Sequence, residues 1–264
     1  MISKNKYVDK KGVLVDKSKI YSLGKESLSG LKKKLQNKVS SWSGTHCIYV
    51  KNLDTNEYMT INNQKMRAAS LIKLYNMGTV YKQIENGSLS KTEKTTSLLN
   101  SMITVSSNDS YNLLLSMLGK GSVVSGISKI NAFCEKQNYS DTIAGGTLSP
   151  SYLKQTWLTA SMTTVKDCGH IMEDIYRGTL VSEKASKSML NTLKKQQRKS
   201  KIPAGLPSGV KTANKTGEFN ARQHDVAIVF SKKADYIIAV MTENDGNAIS
   251  HIRELSKTTY EYFN

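Results

Sequence analysis

Hydrophobic and polar positions follow two different periods in the first part of this chain. Apolar residues recur every four positions from Leu31 to Val39, which predicts a helix over residues 29–39. Two apolar, β-branched runs then follow at 47–50 and 58–61, separated by polar turn residues. This pattern is typical of two strands joined in a hairpin.

The middle of the chain changes to helical periodicity. After Ala68 a dense apolar pattern continues to a stop at Gly87, and further helical patterns extend to about residue 200. Four of these predicted helices cover residues 110–118, 123–134, 164–176 and 186–193. Residues 140–160 contain two adjacent glycines and a proline, so we expect a long irregular loop there.

Strand patterns return near the C-terminus, at 210–215, 225–230 and 236–241, and a helix over 249–262 closes the chain. Strands at both ends around a helical middle predict an α+β sandwich. Its antiparallel sheet is built from both chain ends and covered by terminal helices, with an all-helical lobe inserted. The predicted organisation is an N-terminal linker or added segment (1–27) and one domain (28–264), which comprises an α/β lobe (28–66 and 201–264) and a helical lobe (67–200).

Composition excludes few function classes. The 264-residue chain can bury a full core, and no apolar run is long enough to span a bilayer. The net charge of +17 comes from dispersed lysines and arginines, with 7% aromatic residues and no nucleic-acid motif. We therefore predict no nucleic-acid partner. A positive field would still favour anionic surfaces, such as cell-wall polymers or lipid headgroups.

Three cysteines, Cys47, Cys134 and Cys168, lack the spacing of a disulfide framework or a structural zinc site. We expect small packing residues, and we predict no metal and no cofactor. The N-terminal 19 residues are polar and lysine-rich, without the apolar centre of a signal peptide. Either the protein is cytosolic or a leader or anchor has been removed.

Candidate chemistry begins with Ser70 and Lys73. The Ser-x-x-Lys pattern occurs seven times here, but only Ser70 stands where a strand-like segment becomes a strongly apolar helix. Lys73 then follows one turn later on the same face, within reach of the serine hydroxyl. The helix dipole and the serine's own N–H favour developing negative charge. The alternative is a helix N-cap followed by a solvated lysine.

Two further motifs fit the same chemistry. Ser106 and Asn108 lie at a predicted loop-to-helix junction, although Ser106 is equally expected as a helix cap. A second Ser-x-Asn ends at Asn112, inside the predicted helix, where we expect a hydrogen-bonding role. The chain's single Lys-Thr-Gly, residues 215–217, ends a β-rich segment, and its glycine permits close approach of a ligand.

The residues after this motif offer further charged groups. Arg222 is either a second cation for a substrate carboxylate or a surface turn arginine. His224 and Asp225 follow it in the chain. A Ser–His–Asp triad with Ser70 is conceivable, but His224 is better interpreted as part of a strand edge.

Together these segments resemble the penicillin-recognising serine hydrolases, which include class A β-lactamases and D,D-peptidases. The resemblance covers roughly residues 28–264 and includes Ile103–Leu115 and Ile202–Gly217. It implies a β-lactamase/transpeptidase-like fold. For the reaction it implies Ser70 as nucleophile, Lys73 as its proton acceptor and Ser106 as proton donor to the leaving nitrogen. For substrate binding it implies Asn108 as a ligand of the substrate amide, and Lys215 and Thr216 as ligands of the carboxylate. The N–H groups of Ser70 and Glu218 would form the oxyanion hole.

Two departures from the class A pattern matter. The segment between the first two motifs is short, with Ser107 where an aspartate is usual. The stretch 141–157 contains no glutamate to activate the deacylating water, and the upstream Glu135 is expected at the surface. General-base assistance is typically worth ~10²–10⁴-fold. We therefore predict acylation by β-lactams or D-Ala-D-Ala-like peptides with slow deacylation, as in a D,D-carboxypeptidase-like or esterase-like enzyme.

Alternatives remain open from the sequence. A true class A-type β-lactamase would need another deacylating group, such as Asp141 or Lys73. A non-catalytic penicillin-binding sensor or cationic wall-binding module would keep the site without turnover. The family usually acts outside the cytoplasmic membrane, so the resemblance implies an extracytoplasmic and most simply monomeric protein.

Overall fold

The computed structural model describes residues 6–8, 14–16 and 27–264, and an antiparallel five-stranded sheet lies at its centre. In the described residues the helices are α1 Ser29–Val39, α2 Ile72–Glu85, α3 Glu93–Thr104, α4 Asn108–Leu118, α5 Val123–Lys136, α6 Val165–Arg177, α7 Glu183–Lys194 and α8 Ala248–Phe263. The strands are β1 Lys6–Val8, β2 Leu14–Asp16, β3 Thr45–Asn52, β4 Tyr58–Ile61, β5 Met66–Arg67, β6 Met162–Thr163, β7 Lys211–Phe219, β8 Arg222–Phe230 and β9 Tyr236–Glu243. Short 3₁₀ turns cover Ala69–Leu71 and Ile202–Gly205.

The sheet joins the two ends of the chain. Its order is β4-β3-β9-β8-β7, so β3 from the N-terminal part pairs with β9 from the C-terminal part. Their register places Cys47 opposite Met241. The predicted α+β architecture, with a sheet built from both ends, is confirmed. Separately, β5 and β6 pair and connect the start of the helical region to its later part.

Alternation along the strands divides the core into two layers. In β9, one set of side chains packs against α1 and α8 and the other against the helical lobe, because successive strand residues point to opposite faces. Both faces are covered, which explains why β9 is almost continuously apolar. The α1/α8 layer receives Tyr236, Ile238 and Val240, and the helical layer receives Ile237, Ala239 and Met241.

The predicted helices are present, with ends shifted by up to three residues. Helix α3 was not predicted, because its first half is polar and its buried positions are sparse. Strands β7 and β8 are longer than predicted, since their ladder continues to the pair Phe219–Arg222 at the hairpin turn. The loop expected over 140–160 is irregular, with two isolated bridges. The three cysteines are buried and unpaired, as expected for packing residues.

The N-terminal prediction lies largely outside the described residues. Within 1–27, the structure describes the antiparallel pairing of β1 with β2, and Ser27, which donates its N–H to Tyr58. The division into a linker and two lobes stays a prediction. No single helix in the described part of the chain is long and apolar enough to cross a membrane. Helices α4 and α5 satisfy that test only as a pair, bent by 88°.

Candidate active site

Ser70 lies in a short 3₁₀ turn that leads into α2. The preceding residue, Ala69, has φ 45°, a left-handed conformation that is uncommon for a residue with a Cβ. The turn is held by the Leu71 N–H, which donates to the Ala68 carbonyl, and by the Ala68 N–H, which donates to Ser161. Ser70 remains partly exposed at this junction. Its hydroxyl is therefore fixed at a helix start and open to a ligand.

The Lys73 amine contacts Ser70, and no carboxylate among the described residues pairs with it. Its Nζ lies 3.0 Å from Ser70 Oγ, 2.7 Å from the Ser106 carbonyl oxygen and 2.7 Å from Asn108 Oδ1. Burial lowers the pKa of Lys73 well below its ordinary value, and the positive charges of Lys215 and Arg198 lower it further. A neutral amine can donate to the two carbonyl-type oxygens. Its lone pair then faces the Ser70 hydroxyl and can accept its proton.

Ser106 connects two lysines. Its carbonyl accepts from Lys73, and its Oγ lies 3.2 Å from Lys73 Nζ and 2.9 Å from Lys215 Nζ. Its φ of 62° turns the backbone so that both groups face the site. The alternative that Ser106 caps α4 is wrong: the cap is Ser107, whose Oγ accepts from the Ser110 N–H. Ser106 is thus free of a capping role and positioned between two amines.

The Lys-Thr-Gly segment forms the wall of the site along β7. Lys215 is fully buried, and its amine contacts Ser106 Oγ and the Thr216 carbonyl oxygen at 2.8 Å. Burial, with Arg198 nearby, lowers the pKa of Lys215 to about 7. A Cβ on Gly217 would lie 3.2 Å from the Ala68 carbonyl and 3.3 Å from Leu71 Cγ. Glycine therefore allows β7 to pack closely against the turn that carries Ser70.

Two cations at this wall were missed from the sequence. Arg198 donates through Nε to the Val105 carbonyl and pairs with Glu218 at 3.3 Å. Lys201 is buried, and its amine contacts Glu218 and the carbonyls of Gly217 and His224. Both belong to a lysine-rich stretch, 194–201, that has the composition of an ordinary solvated surface. Both residues contact Glu218 on β7, and this contact is formed only through tertiary structure.

Arg222 has a different place from the second carboxylate-binding cation considered above. It opens β8 after the hairpin turn, and its guanidinium forms an ion pair with Glu243 on β9. Because Glu243 already pairs with the guanidinium of Arg222, that guanidinium is not available to bind a substrate carboxylate. Arg198 is instead the arginine whose positive charge helps to lower the pKa of both Lys73 and Lys215.

The Ser–His–Asp alternative does not fit the structure. His224 is buried, its Nδ1 accepts from the Thr242 N–H, and its Nε2 therefore carries a proton that it donates to the Arg67 carbonyl. Burial lowers the pKa of His224 to about 4, so it stays neutral near neutral pH. Both ring nitrogens are occupied by backbone groups. His224 is a structural strand residue, as the preferred interpretation held.

Helix α4 holds the 140–160 loop against the site. Asn112 binds Leu148 twice, donating to its carbonyl at 2.9 Å and accepting from its N–H at 2.8 Å. Asn108 donates to the Pro150 carbonyl at 3.2 Å, and Ser151 donates to Asp109. The hydrogen-bonding role predicted for Asn112 is confirmed. The loop is therefore fixed directly beside Lys73, which Asn108 also contacts.

A cavity of about 380 Å³ lies between this loop and the Ser70 turn. Ala69, Leu148, Trp157 and Phe219 line it, and Arg67 is the charged residue of the lining. Within residues 27–264, no aspartate or glutamate contributes to this lining. Glu135 lies exposed on α5, as predicted. Asp141 is partly exposed and paired with Lys65 at 3.2 Å.

The fold and the clustered motifs are those of a penicillin-recognising serine hydrolase. A family model described as the beta-lactamase enzyme family matches residues 30–97 and 94–263, and the chain belongs to that family. A comparison with curated protein sequences found no match.

Comparison with solved structures found the same fold in many proteins. PBP-A is 23% identical with a TM-score of 0.81, covering 91% of this chain and 98% of its own. The β-lactamase from Sphaerobacter thermophilus DSM 20745 is 20% identical with a TM-score of 0.76, covering 90% and 98%. The TLA-1 extended-spectrum β-lactamase is 16% identical with a TM-score of 0.77, covering 89% and 98%. At these identities the similarity shows the fold alone.

Proposed function

We propose that this protein is a serine acyl-transfer hydrolase that is acylated at Ser70 and deacylates slowly. The observation that carries the proposal is the Lys73 amine, 3.0 Å from Ser70 Oγ, with a lowered pKa and no carboxylate partner in the part of the chain that the structure describes. A buried lysine whose pKa is lowered can serve as the base for a serine nucleophile. The substrates we propose are β-lactams or peptides ending like D-Ala-D-Ala. A mutant of PBP-A, 22% identical to this chain, was solved as an acyl-enzyme complex with penicillin G.

Acylation follows from the contacts of Ser70, Lys73 and Ser106. Lys73 takes the hydroxyl proton as Ser70 Oγ bonds to the substrate carbonyl carbon. The carbonyl oxygen becomes an oxyanion, for which we propose the N–H groups of Ser70 and Glu218 as donors. When the C–N bond breaks, Ser106 gives its proton to the leaving nitrogen. Lys73 can replace that proton, because its Nζ lies 3.2 Å from Ser106 Oγ.

Substrate orientation is assigned to the β7 wall and the α4 loop. The Lys215 ammonium and the Thr216 hydroxyl would bind the substrate carboxylate, with Arg198 adding positive charge to the same region. Asn108 would hold the substrate amide, and its side chain already reaches both Lys73 and the Pro150 carbonyl. The 380 Å³ cavity beside Ala69 would receive the acyl side chain.

Slow deacylation is proposed from the composition of that cavity. Hydrolysis of the ester needs a base that activates water beside the acyl carbon. No carboxylate of the described residues lines the cavity, and Asp141 is paired with Lys65 at the surface. Losing such a base typically costs ~10²–10⁴-fold in rate. We also propose that the protein acts outside the cytoplasmic membrane, where peptidoglycan-like substrates occur, and that anionic wall polymers attract its positive surface.

Intact-mass measurement after exposure to benzylpenicillin tests the proposal. We expect a mass increase of one penicilloyl group per protein molecule that persists after free penicillin is removed. The Ser70→Ala variant should show no such increase. Rapid loss of the adduct with fast steady-state hydrolysis would identify a true β-lactamase instead. A folded protein that never forms the adduct would support a non-catalytic wall-binding module. A lasting adduct without turnover of any peptide or ester would support a sensor.

A further inference from the structure

Two histidines and an aspartate meet on the side of the sheet opposite Ser70. His46 lies on β3, Asp245 follows the end of β9, and His251 lies in the first turns of α8. His46 Nε2 and His251 Nδ1 each lie 2.8 Å from the same carboxylate oxygen, Asp245 Oδ2. The three ligand-type atoms all lie within 4.8 Å of one another. Because His46 lies 199 residues before Asp245 in the sequence, no spacing motif predicts the cluster.

The surrounding structure fixes the orientation of each of these side chains. Asp245 Oδ1 accepts from the Asn247 N–H, which turns Oδ2 toward the histidines. The Trp42 ring stacks on the His251 ring at 3.8 Å between centroids and 3° between planes. His46 is held in the register of β3 with β9, opposite Thr242. These contacts order the three donors before any ligand arrives, which lowers the cost of binding.

We propose that His46, Asp245 and His251 bind a divalent transition-metal ion, with Zn²⁺ as the expected species. Two imidazole nitrogens and one carboxylate oxygen form a donor set that suits such ions, and water can complete a tetrahedral site. Each histidine would bind the metal through the nitrogen that now faces Asp245, and would keep a proton on its other ring nitrogen. A histidine that is charged before binding would therefore release one proton to solvent.

The proposed metal site approaches the surface through His251. Asp245 borders a cavity of about 410 Å³, but its side chain is fully buried and neither histidine is in the lining of that cavity. His46 and Asp245 are almost completely buried, whereas the side chain of His251 is 15% exposed. Cys47, next to His46 in β3, points to the opposite face and packs against the helical lobe. It therefore cannot replace the proposed ligands.

Titration of the full chain tests the proposal. After treatment with a chelator, the protein is titrated calorimetrically with Zn²⁺, and we expect one saturable equivalent. Replacing a residue that only supports a metal ligand commonly weakens binding ~10–100-fold. Because His251 and His46 would be direct ligands, His251→Gln and His46→Gln are each expected to weaken Zn²⁺ binding at least ~100-fold. His170→Gln is the matched control, since His170 is a largely buried histidine outside the cluster. It should retain full affinity.

A spectroscopic measurement identifies the ligands themselves. With Cu²⁺ as probe, electron paramagnetic resonance should show coupling to two imidazole nitrogens in the parent protein and one in His251→Gln. Circular dichroism verifies that each variant is folded. If His46→Gln does not fold, the proposal is tested with His251→Gln alone, because His251 is the more exposed of the two. The proposal is overturned if the parent binds no Zn²⁺ saturably, or if affinity and nitrogen coupling are unchanged in folded His251→Gln.

Discussion

The Lys215 amine lies 2.9 Å from the Ser106 hydroxyl oxygen, so a hydrogen bond joins the cationic strand β7 to the turn that precedes α4. Lys73 approaches the same hydroxyl from α2 at 3.2 Å. A serine between two buried amines can pass a proton along the path from nucleophile to leaving group. Two amines therefore meet at Ser106: in the proposed mechanism Lys73 returns its proton, and Lys215 binds the substrate carboxylate beside it.

Replacing Lys73 by methionine should stop acylation while keeping the fold. Methionine fills much of the same buried volume and has no basic nitrogen, so the Ser70 hydroxyl loses its proton acceptor. We expect the second-order rate of acylation by a fluorescent penicillin to fall about 10²–10⁴-fold. The exposed Lys65→Met is the matched control and should label at the parental rate. Parental labelling by folded Lys73→Met would show that another group is the base.

The acylation rate should depend on pH through both lysines. Lys73 acts deprotonated, so the rate rises as pH increases through its lowered pKa. Lys215 binds a carboxylate as a cation, and this contribution is present below its pKa of about 7 and lost above it. For benzylpenicillin we expect a bell-shaped profile of kcat/KM, with apparent pKa values that belong to the coupled pair.

An ester substrate without a carboxylate separates the two limbs of this profile. Such a substrate does not need the Lys215 charge, so only the rising limb due to Lys73 should remain. A falling limb of equal size for both substrates would contradict the assignment of carboxylate binding to Lys215. Quench-flow measurement of acylation, rather than turnover, keeps slow deacylation out of the profile.

What the sequence could predict depends on how local each interaction is. Ser70 and Lys73 are one helical turn apart, so their proximity follows from the motif itself. The sheet followed from strong strand patterns at both ends. Arg198 could not be distinguished from Lys199, because its contacts with Val105 and Glu218 come from distant segments. Arg222 resembled a ligand-binding cation until its pairing with Glu243 on β9 was seen. The His46, Asp245 and His251 cluster likewise forms only through tertiary structure.

Replacing Arg198 by glutamine should move the acylation profile toward higher pH. The positive charge of Arg198 contributes to lowering the pKa of both Lys73 and Lys215, so its removal should raise both values. The rising and falling limbs should shift in the same direction, a result that a purely structural role would not produce. Lys199→Gln, a neighbouring exposed change, should leave the profile in place. An unshifted profile in Arg198→Gln would show that solvent screens this charge from the site.

Introducing a glutamate at Leu148 should convert a trapped acyl-enzyme into one that turns over. Asn112 holds both backbone polar groups of Leu148, and the residue lines the cavity beside Ala69. A carboxylate there would enter a fixed position near the acyl group and could activate water. We expect deacylation of the penicilloyl-enzyme to accelerate, up to ~10²–10⁴-fold, as measured by the decay of the adduct mass.

The matched control for this change is Leu148→Gln, which has the same shape as the glutamate variant but no basic oxygen. It should form the adduct and keep it as long as the parent does. Equal acceleration in both variants would mean that loosening the loop admits water, and the missing carboxylate would then not explain slow deacylation. Acceleration confined to Leu148→Glu, with a rate that rises as the carboxylate ionises, would assign the slow step to the absent base.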